Sequence, residues 1–236
     1  MTIKDMHYDF KKKLNKVDSQ KYRNFLIPEI DWVLNEACEL YIKFIAEPRL
    51  RNHLGFEVNQ RTIDDIKSLV KNQNDSVNQF NIINSEVTLP TDYLFYISSH
   101  VLMSKGECSD VVGKVFIRQH DDLFEISPFD KSSFEWRTVN AVFFENGLKF
   151  FSDGSFDITK FCLSYIRKPV YMHNAEDFRN GEYSLPSGIL LSNTQDCDLP
   201  DHTHREIVDL AVMITSGEIS DPNFQTKQLK TKLNFN

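Results

Sequence analysis

The sequence predicts an α+β protein in which helices and strands occupy separate stretches of the chain. Residues 29–46 and 201–214 carry apolar side chains at helical spacing, whereas residues 80–170 show the alternation and turn signals of strands. Segregated runs of this kind are typical of α+β proteins. We therefore expect a long N-terminal helix and a C-terminal helix packed together beside an antiparallel sheet, curled into a small sandwich or open barrel.

The N-terminal part, residues 1–79, is predicted to be helical. A first stretch over about residues 18–26 precedes the strongest helix, for which Pro28 is a favourable first residue and which ends before Pro48. The apolar face of this strongest helix consists of Ile30, Val33, Leu34, Ala37, Leu40, Tyr41, Phe44 and Ile45. Its regular spacing predicts one buried side.

The middle part, residues 80–170, is predicted to form the sheet. The expected strands are residues 87–89, 93–97, 111–118, 148–151 and 161–167. Asn146-Gly147 and Asp153-Gly154 are dipeptides typical of tight hairpin turns, and they flank the fourth of these strands. Pro169 ends the last strand.

The C-terminal part combines a loop region, a helix and a polar tail. We expect a polar loop over residues 171–198, a helix over residues 199–217 with Pro200 in its first turn, and an extended tail over residues 218–236. The tail lacks the apolar surface that offsets ordering entropy, so we expect it to order on a partner. Its candidate contact residues are Leu229, Lys230, Lys232, Leu233 and Phe235.

Charge and composition exclude some functional classes. The net charge of −7 argues against a dedicated nucleic-acid binder, which usually carries a basic excess. The four cysteines are scattered, which predicts free and mostly buried thiols in a reducing compartment. The sequence shows no signal-peptide core and no apolar run of transmembrane length, so we expect synthesis in the cytosol and residence there or in a particle assembled there.

The best metal-site candidate is the group Cys197, Asp198, His202 and His204, with His173 as a further ligand from the loop. Histidines two residues apart do not share a helix face, so we favour a role in solvating or capping the start of the helix. The other candidate, Asp121, Asp122 and Asp130, lacks the glycine-bearing loop of a calcium site. We interpret Asp122-Leu123-Phe124-Glu125 as the cap and first turn of a short helix.

Other catalytic signatures are weak. The segment Gly154-Ser155-Phe156-Asp157 lacks the second glycine of a nucleophile elbow, and the sequence contains neither a dinucleotide-binding nor a P-loop motif. The aromatic residues Phe143, Phe144, Phe150, Phe151 and Phe161 have no interleaved basic residues for base stacking, so we expect them to pack in the core or at an interface. An enzymatic function has no positive support here.

Several segments share their order with those of one protein family. They are Leu89-Pro90-Thr91-Asp92-Tyr93-Leu94; Gln119-His120-Asp121-Asp122-Leu123 with Ser127-Pro128-Phe129-Asp130-Lys131-Ser132; Leu148 to Phe156 with Leu163-Ser164-Tyr165-Ile166-Arg167-Lys168-Pro169; and Leu199 to Ala211 with Ile219 to Gln225. Over about residues 20–225 the chain resembles head-to-tail connector proteins of short-tailed bacteriophages, especially those of crAss-like phages. Ser132 or Ser133 stands where the family commonly has proline.

The resemblance implies a single connector domain over residues 1–236 and a structural, non-enzymatic role without a cofactor. Such connectors, also called ring, adaptor or tail tubular proteins, form a homo-oligomeric, typically twelve-fold ring. The ring lies beneath the portal protein, extends the channel through which DNA passes without specific binding, and offers a platform for the next tail component. We thus expect residence in the virion neck or tail after assembly in the host cytoplasm, with no membrane partner.

Two alternatives stay open. The first is a ring or stopper farther down the tail. The second is a metal-dependent hydrolase that uses Cys197, His202, His204 and Asp198. If the chain is a connector, we expect the tail residues to lie along the portal or a neighbouring subunit.

Overall fold

The computed structural model describes residues 1–14, 25–46, 60–72, 79–82, 85–124, 131–145, 147–218 and 228. The chain divides into two units. The helical unit comprises residues 1–69 and 169–236, and the β unit comprises residues 70–168. The α+β class predicted from the sequence is confirmed, because the described residues form four α-helices and a large curled sheet.

The helical unit contains α1 (Ile3–Leu14), α2 (Ile27–Ala46), α3 (Gln60–Ile66) and α4 (His204–Glu218). Both α1 and α2 pack against α4, which confirms the predicted association of the long N-terminal helix with the C-terminal helix. Their buried side chains include Ile3, Met6, Phe10, Ile30, Leu34, Ala37, Tyr41, Ile207, Val208 and Ala211. The recurrence at three and four residues places one apolar side of each helix in the core.

Helix α1 was not predicted. The Thr2 hydroxyl accepts the N–H of Asp5 at 3.3 Å and the Asp5 carboxylate accepts the N–H of Thr2 at 3.1 Å, which forms a capping box at the start of the helix. Most of the predicted stretch over residues 18–26 lies outside the described residues, and Phe25 and Leu26 are not helical.

Helix α4 begins later than the predicted residue 199. The segment from Pro200 to Thr203 forms a turn in which the Thr203 N–H donates to the Pro200 carbonyl at 3.0 Å. The Thr203 carbonyl then accepts the N–H groups of Glu206 and Ile207, so Thr203 is the residue before the first helical turn. Pro200 therefore precedes the helix rather than opening it.

The predicted loop region contains four short strands. Strand β9 (His173–Asn174) pairs with β12 (Thr194–Gln195), and β10 (Glu182–Ser184) pairs with β11 (Leu190–Ser192). Both pairs are antiparallel. These two strand pairs give regular structure to a segment that its composition predicts to be an irregular loop.

The β unit contains one large sheet. Its strands are β1 (Val70–Lys71), β2 (Gln79–Asn81), β3 (Glu86–Thr88), β4 (Tyr93–Lys105), β5 (Cys108–Ile117), β6 (Thr138–Phe144), β7 (Gly147–Phe151) and β8 (Asp157–Arg167). The order across the sheet is β1-β8-β4-β5-β6-β7-β3, and β2 also pairs with β8. One face buries a core that includes Val101, Met103, Val139, Leu148, Phe150, Phe161 and Leu163.

One strand pair departs from the predicted antiparallel sheet. Strands β5 and β6 are parallel, with Lys114 opposite Thr138 and Ile117 opposite Ala141. Parallel neighbours need a connection longer than a tight hairpin. Here the connection is the chain from residue 118 to residue 137, which includes a 3₁₀ turn at Asp121–Phe124.

The two predicted turn dipeptides have different outcomes. Gly154 has a positive φ of 78°, and the Ser155 N–H donates to the Asp153 carboxylate at 2.9 Å, as expected for a tight turn. Gly147 instead belongs to strand β7, where a Cβ atom would lie 2.0 Å from the carbonyl oxygen of Val87. Position 147 requires glycine because strand β3 lies too close to leave room for a side chain, and not because a turn needs it.

Candidate subunit interface

The two histidines of the predicted metal site point to different partners. The side chain of His202 is 56% exposed, and its Nε2 lies 2.8 Å from the buried carboxylate of Asp65 on α3. His204 is buried, and its Nε2 lies 2.8 Å from the carbonyl oxygen of Leu199. These two imidazoles therefore do not share one ion.

The remaining candidates do not complete a metal site. The Asp198 carboxylate accepts the N–H of Val170 at 3.0 Å, and His173 is buried in strand β9. A short 3₁₀ helix, Asp121–Phe124, lies at the predicted place, but the exposed Asp122 is within it rather than at its cap, and Asp130 lies outside the described residues. Within the described ranges, no group of three His, Cys, Asp or Glu side chains has the geometry to hold a metal ion.

The aromatic residues considered for base stacking pack mainly in the core. Phe150 and Phe161 are buried, with their ring centroids 5.3 Å apart. Phe143 packs against the same core, and Phe144 is partly exposed at the end of β6. Core packing was the expected role.

The tail residues selected from the sequence cannot be placed. Leu229, Lys230, Lys232, Leu233 and Phe235 all lie outside the described residues. The contact role of the tail therefore stays a prediction.

The structure exposes a tryptophan that the sequence analysis did not single out. Trp136 is 79% exposed, although tryptophan is the largest apolar side chain of the chain. It lies in the turn between Ser133 and Thr138, which exchange two backbone hydrogen bonds of 2.9 and 3.0 Å. A third bond of 3.2 Å joins the Arg137 N–H to the Phe134 carbonyl, and Arg137 has a positive φ of 53°.

Hydrogen bonds fix the backbone of this turn, which carries the indole. Phe134 packs the turn against the core of the β unit, with its ring centroid 6.1 Å from that of the buried Phe156. An aromatic side chain on such a fixed turn loses little conformational freedom on binding. Tryptophan in such a position is typical of the residues that contribute most to protein–protein affinity.

Trp136 forms one wall of a shallow groove of about 390 Å³ across strands β4 and β5. We call it the Trp136 groove; its main lining residues are Ser98, His100, Val112, Lys114, Trp136 and Arg137. Val112, Lys114 and Phe116 alternate with buried residues along β5 and so share its exposed face. The Lys114 ammonium lies 5.0 Å from the centre of the Phe116 ring.

The Trp136 groove combines apolar and cationic character. Lys114 and Arg137 make no ion pair with any residue that the structure describes. Burial lowers the pKa of His100, which favours the neutral imidazole near pH 7. The groove therefore suits an apolar side chain accompanied by a carboxylate.

A second exposed apolar surface lies in the helical unit, on the hairpin formed by β10 and β11. We call residues 182–192 the Leu190 hairpin. Ile189 and Leu190 are each 58% exposed at its tip. Gly188 has a positive φ of 84°, and the Leu185 N–H donates to the Ile189 carbonyl at 2.9 Å, so the tip is a closed turn.

The Leu190 hairpin is anchored from its inner face. Glu182 and Leu190 lie on one face, because Ser184 pairs with Leu190 and strand side chains alternate. Tyr183 points to the other side, where its hydroxyl donates to the buried Asp31 carboxylate at 2.7 Å. The exposed face thus presents the Leu190 side chain and one carboxylate on a fixed support, and Ile189 is exposed beside them at the tip.

The comparisons with known proteins add no family. No protein-family model matches the chain, and no curated protein matches it. Among the described helices, none has the length and apolar character needed to cross a bilayer. The functional assignment must therefore come from the sequence resemblance and from the surfaces described above.

Proposed function

We propose that the chain is a structural subunit of a ring, typically twelve-fold, that joins the portal to the tail of a short-tailed bacteriophage and extends its DNA channel. The sequence resemblance to the connectors of crAss-like phages motivates the proposal. The observation that carries it is the presence of two unlike exposed apolar surfaces, the Trp136 groove and the Leu190 hairpin, on fixed turns of one chain.

A closed ring requires this kind of asymmetry. In a head-to-tail contact, one face of each subunit binds a different face of the next, and repetition around an axis closes the ring. In the proposed contact, Ile189 and Leu190 of one subunit occupy the Trp136 groove of its neighbour. The carboxylate of Glu182 then approaches Lys114 or Arg137, so the charges of the two surfaces are complementary.

The overall charge suits a DNA conduit. Affinity for DNA depends on cations that neutralise phosphates and release counterions. A chain with a net charge of −7 lacks the excess of cations that would hold passing DNA. The proposed ring therefore guides DNA and does not bind it.

The test is electron microscopy of the purified chain mixed with the portal protein of the phage that encodes it. We expect a ring of this chain on one end of the portal, with one copy per portal subunit. The chain by itself serves as the reference for assembly that needs the portal. Failure to bind the portal, with binding instead to a separate tail component, would favour the alternative of a ring or stopper farther down the tail.

The tail gives a second prediction. Deleting residues 226–236 is expected to leave the thermal midpoint of unfolding unchanged and to reduce docking on the portal, because a polar segment contributes little to a core but can order on a partner. Replacing Leu229, Leu233 and Phe235 together by serine is the matched full-length variant. Portal binding equal to that of the unmodified chain in both variants would refute the tail contact.

The hydrolase alternative has no comparable support. Its residues would have to converge on one ion, and His202 and His204 have separate partners in the structure. Within the described residues, no group of three potential ligands is placed to hold the metal ion that this alternative requires.

A further inference from the structure

Two routes of polar contacts join helix α1 to the Leu190 hairpin, and both lie within the helical unit. The first route passes through the Asp31 carboxylate on α2. Its Oδ1 lies 2.7 Å from Nε2 of His7 on α1, and its Oδ2 accepts the hydroxyl of Tyr183 on β10 at 2.7 Å. One carboxylate therefore contacts both α1 and the first strand of the hairpin.

This first route is shielded from water. His7, Asp31 and Tyr183 are all buried. The Tyr183 ring also packs edge-on against Phe178, with the two ring centroids 5.8 Å apart. A buried polar group cannot exchange a lost partner for water, so breaking one of these hydrogen bonds is costly. The inner face of the hairpin is thereby held against α2.

The second route runs over the surface of the unit. A short 3₁₀ helix, Ala175–Asp177, connects β9 to the hairpin and lies next to both of its strands. The Lys4 ammonium of α1 lies 3.1 Å from the carboxylates of both Glu176 and Asp177. The Glu176 N–H donates to the carbonyl of Asn193, just after the hairpin, at 2.9 Å. Helix α1 therefore also contacts the base of the hairpin.

The two routes differ in strength. Lys4, Glu176 and Asp177 have side chains that are 47–60% exposed. Ion pairs with this exposure contribute little to stability, because water and salt screen them. We therefore expect the buried contacts of Asp31 to contribute most of the support and the Lys4 contacts to add a smaller part.

The Leu190 hairpin depends on such support because it is small. Its strands β10 and β11 have three residues each and pair with one another. A hairpin of two strands is marginally stable by itself in water. The positions of Ile189 and Leu190 at its tip therefore depend on the base to which α1 and α2 hold it.

We propose that α1 is a brace for the Leu190 hairpin, so that the hairpin has a fixed position only while α1 is packed against Asp31. The inference rests on the proposed function, because it concerns the fit of the hairpin into the Trp136 groove of a neighbouring subunit. A fixed segment loses less conformational entropy on binding than a mobile one. A subunit in which α1 has moved away from Asp31 therefore joins the ring more weakly.

The test is hydrogen–deuterium exchange of the full chain, measured by mass spectrometry on peptides that cover residues 182–192. His7→Leu removes the imidazole nitrogen from α1 and keeps an apolar side chain in its place. Although His7 does not belong to the hairpin, we expect amide exchange in the hairpin to become about fivefold faster, as for the loss of one buried hydrogen bond. Peptides of the β unit are the internal reference and should not change.

A surface variant keeps the test independent of core packing. Lys4→Ala removes both ion pairs of the second route, and we expect hairpin exchange to become about twofold faster. Lys12→Ala is the matched control, because Lys12 is exposed on the same helix and makes no ion pair with residues in the described ranges. If His7→Leu accelerates the α4 and hairpin peptides equally, the comparison of Lys4→Ala with Lys12→Ala decides. Unchanged hairpin exchange in Lys4→Ala would then overturn the brace.

Ring occupancy on the portal separates the brace from the proposed function. We expect His7→Leu and Lys4→Ala to lower occupancy in the order of their effects on hairpin exchange. Faster exchange with full occupancy in both variants would overturn the role of the brace in assembly. If the unmodified chain forms no ring on the portal while the variants show the expected exchange, the proposed function is wrong and the brace is supported.

Discussion

Replacing Asp31 with alanine is expected to lower the free energy of unfolding by about 3–5 kcal/mol, because several buried polar groups lose their common acceptor. Asp31 is fully buried on α2. Its carboxylate lies 2.7 Å from Nε2 of His7 on α1 and accepts the Tyr183 hydroxyl at 2.7 Å. It also accepts the backbone N–H of Asn174 at 3.1 Å.

This carboxylate joins three parts of the helical unit. Its partners come from α1, from β9 and from the Leu190 hairpin, so its removal leaves three polar groups without an acceptor in the interior. A buried donor that loses its acceptor costs about 1–3 kcal/mol, and the costs are not fully additive. Burial and the Asp31 hydrogen bond both raise the pKa of Tyr183, which keeps its hydroxyl as the donor.

Urea unfolding followed by circular dichroism measures the change. Trp32, adjacent to Asp31 on α2, reports on the helical unit by fluorescence once Trp136 is replaced by phenylalanine. Glu36→Ala removes an exposed carboxylate from the same helix and should change stability by less than about 0.5 kcal/mol. Tyr183→Phe should cost about 1 kcal/mol. A loss below 1 kcal/mol for Asp31→Ala would mean that this network does not hold the unit together.

Replacing Trp136 with alanine is expected to abolish more than about nine tenths of ring assembly on the portal. Truncation of a central interface tryptophan costs about 2 kcal/mol or more at each contact, which corresponds to about thirtyfold in affinity. Because the same contact recurs around a ring, this loss of affinity occurs between every pair of neighbouring subunits. The change should leave the stability of the subunit within about 0.5 kcal/mol, because the indole is 79% exposed. Ring occupancy in electron micrographs and the thermal midpoint together measure the two effects.

Charge exchange supplies the matched control. Lys114→Glu and Glu182→Lys should each weaken the ring, and the double variant should recover part of the loss, because every contact then again joins opposite charges. Trp32→Ala removes an exposed indole from α2 and is the control for loss of apolar surface. Wild-type occupancy for Trp136→Ala, or no recovery in the double variant, would exclude the proposed head-to-tail contact.

The elements with strong local periodicity could be predicted from the sequence. Helix α2 follows a run of apolar residues at helical spacing, and β7 and β8 follow apolar segments bounded by turn residues. Helix α1 also had a local signal, the capping pair Thr2 and Asp5 before apolar residues at positions 3, 6 and 10. The basic run at residues 11–13 interrupts the apolar pattern before Leu14 and weakens this signal.

The features that depend on distant contacts could not be predicted. Nothing near Asp31 in the sequence shows that His7 and Tyr183 reach it. Gly147 looked like a turn residue until the position of Val87 was known. The parallel pairing of β5 with β6 likewise depends on where the intervening chain returns.

The sequence by itself determined the α+β class, the two main helices and most of the sheet, because backbone geometry repeats over neighbouring residues and leaves a period in the apolar pattern. Tertiary structure alone decided that Trp136 stands exposed on a fixed turn, that Ile189 and Leu190 form an apolar tip, and that His7 and Tyr183 meet at the buried Asp31 carboxylate. Whether a side chain is exposed, or lies next to a residue distant in the sequence, depends on how segments far apart in the chain pack together. The periodic pattern of apolar residues in one segment does not contain this information.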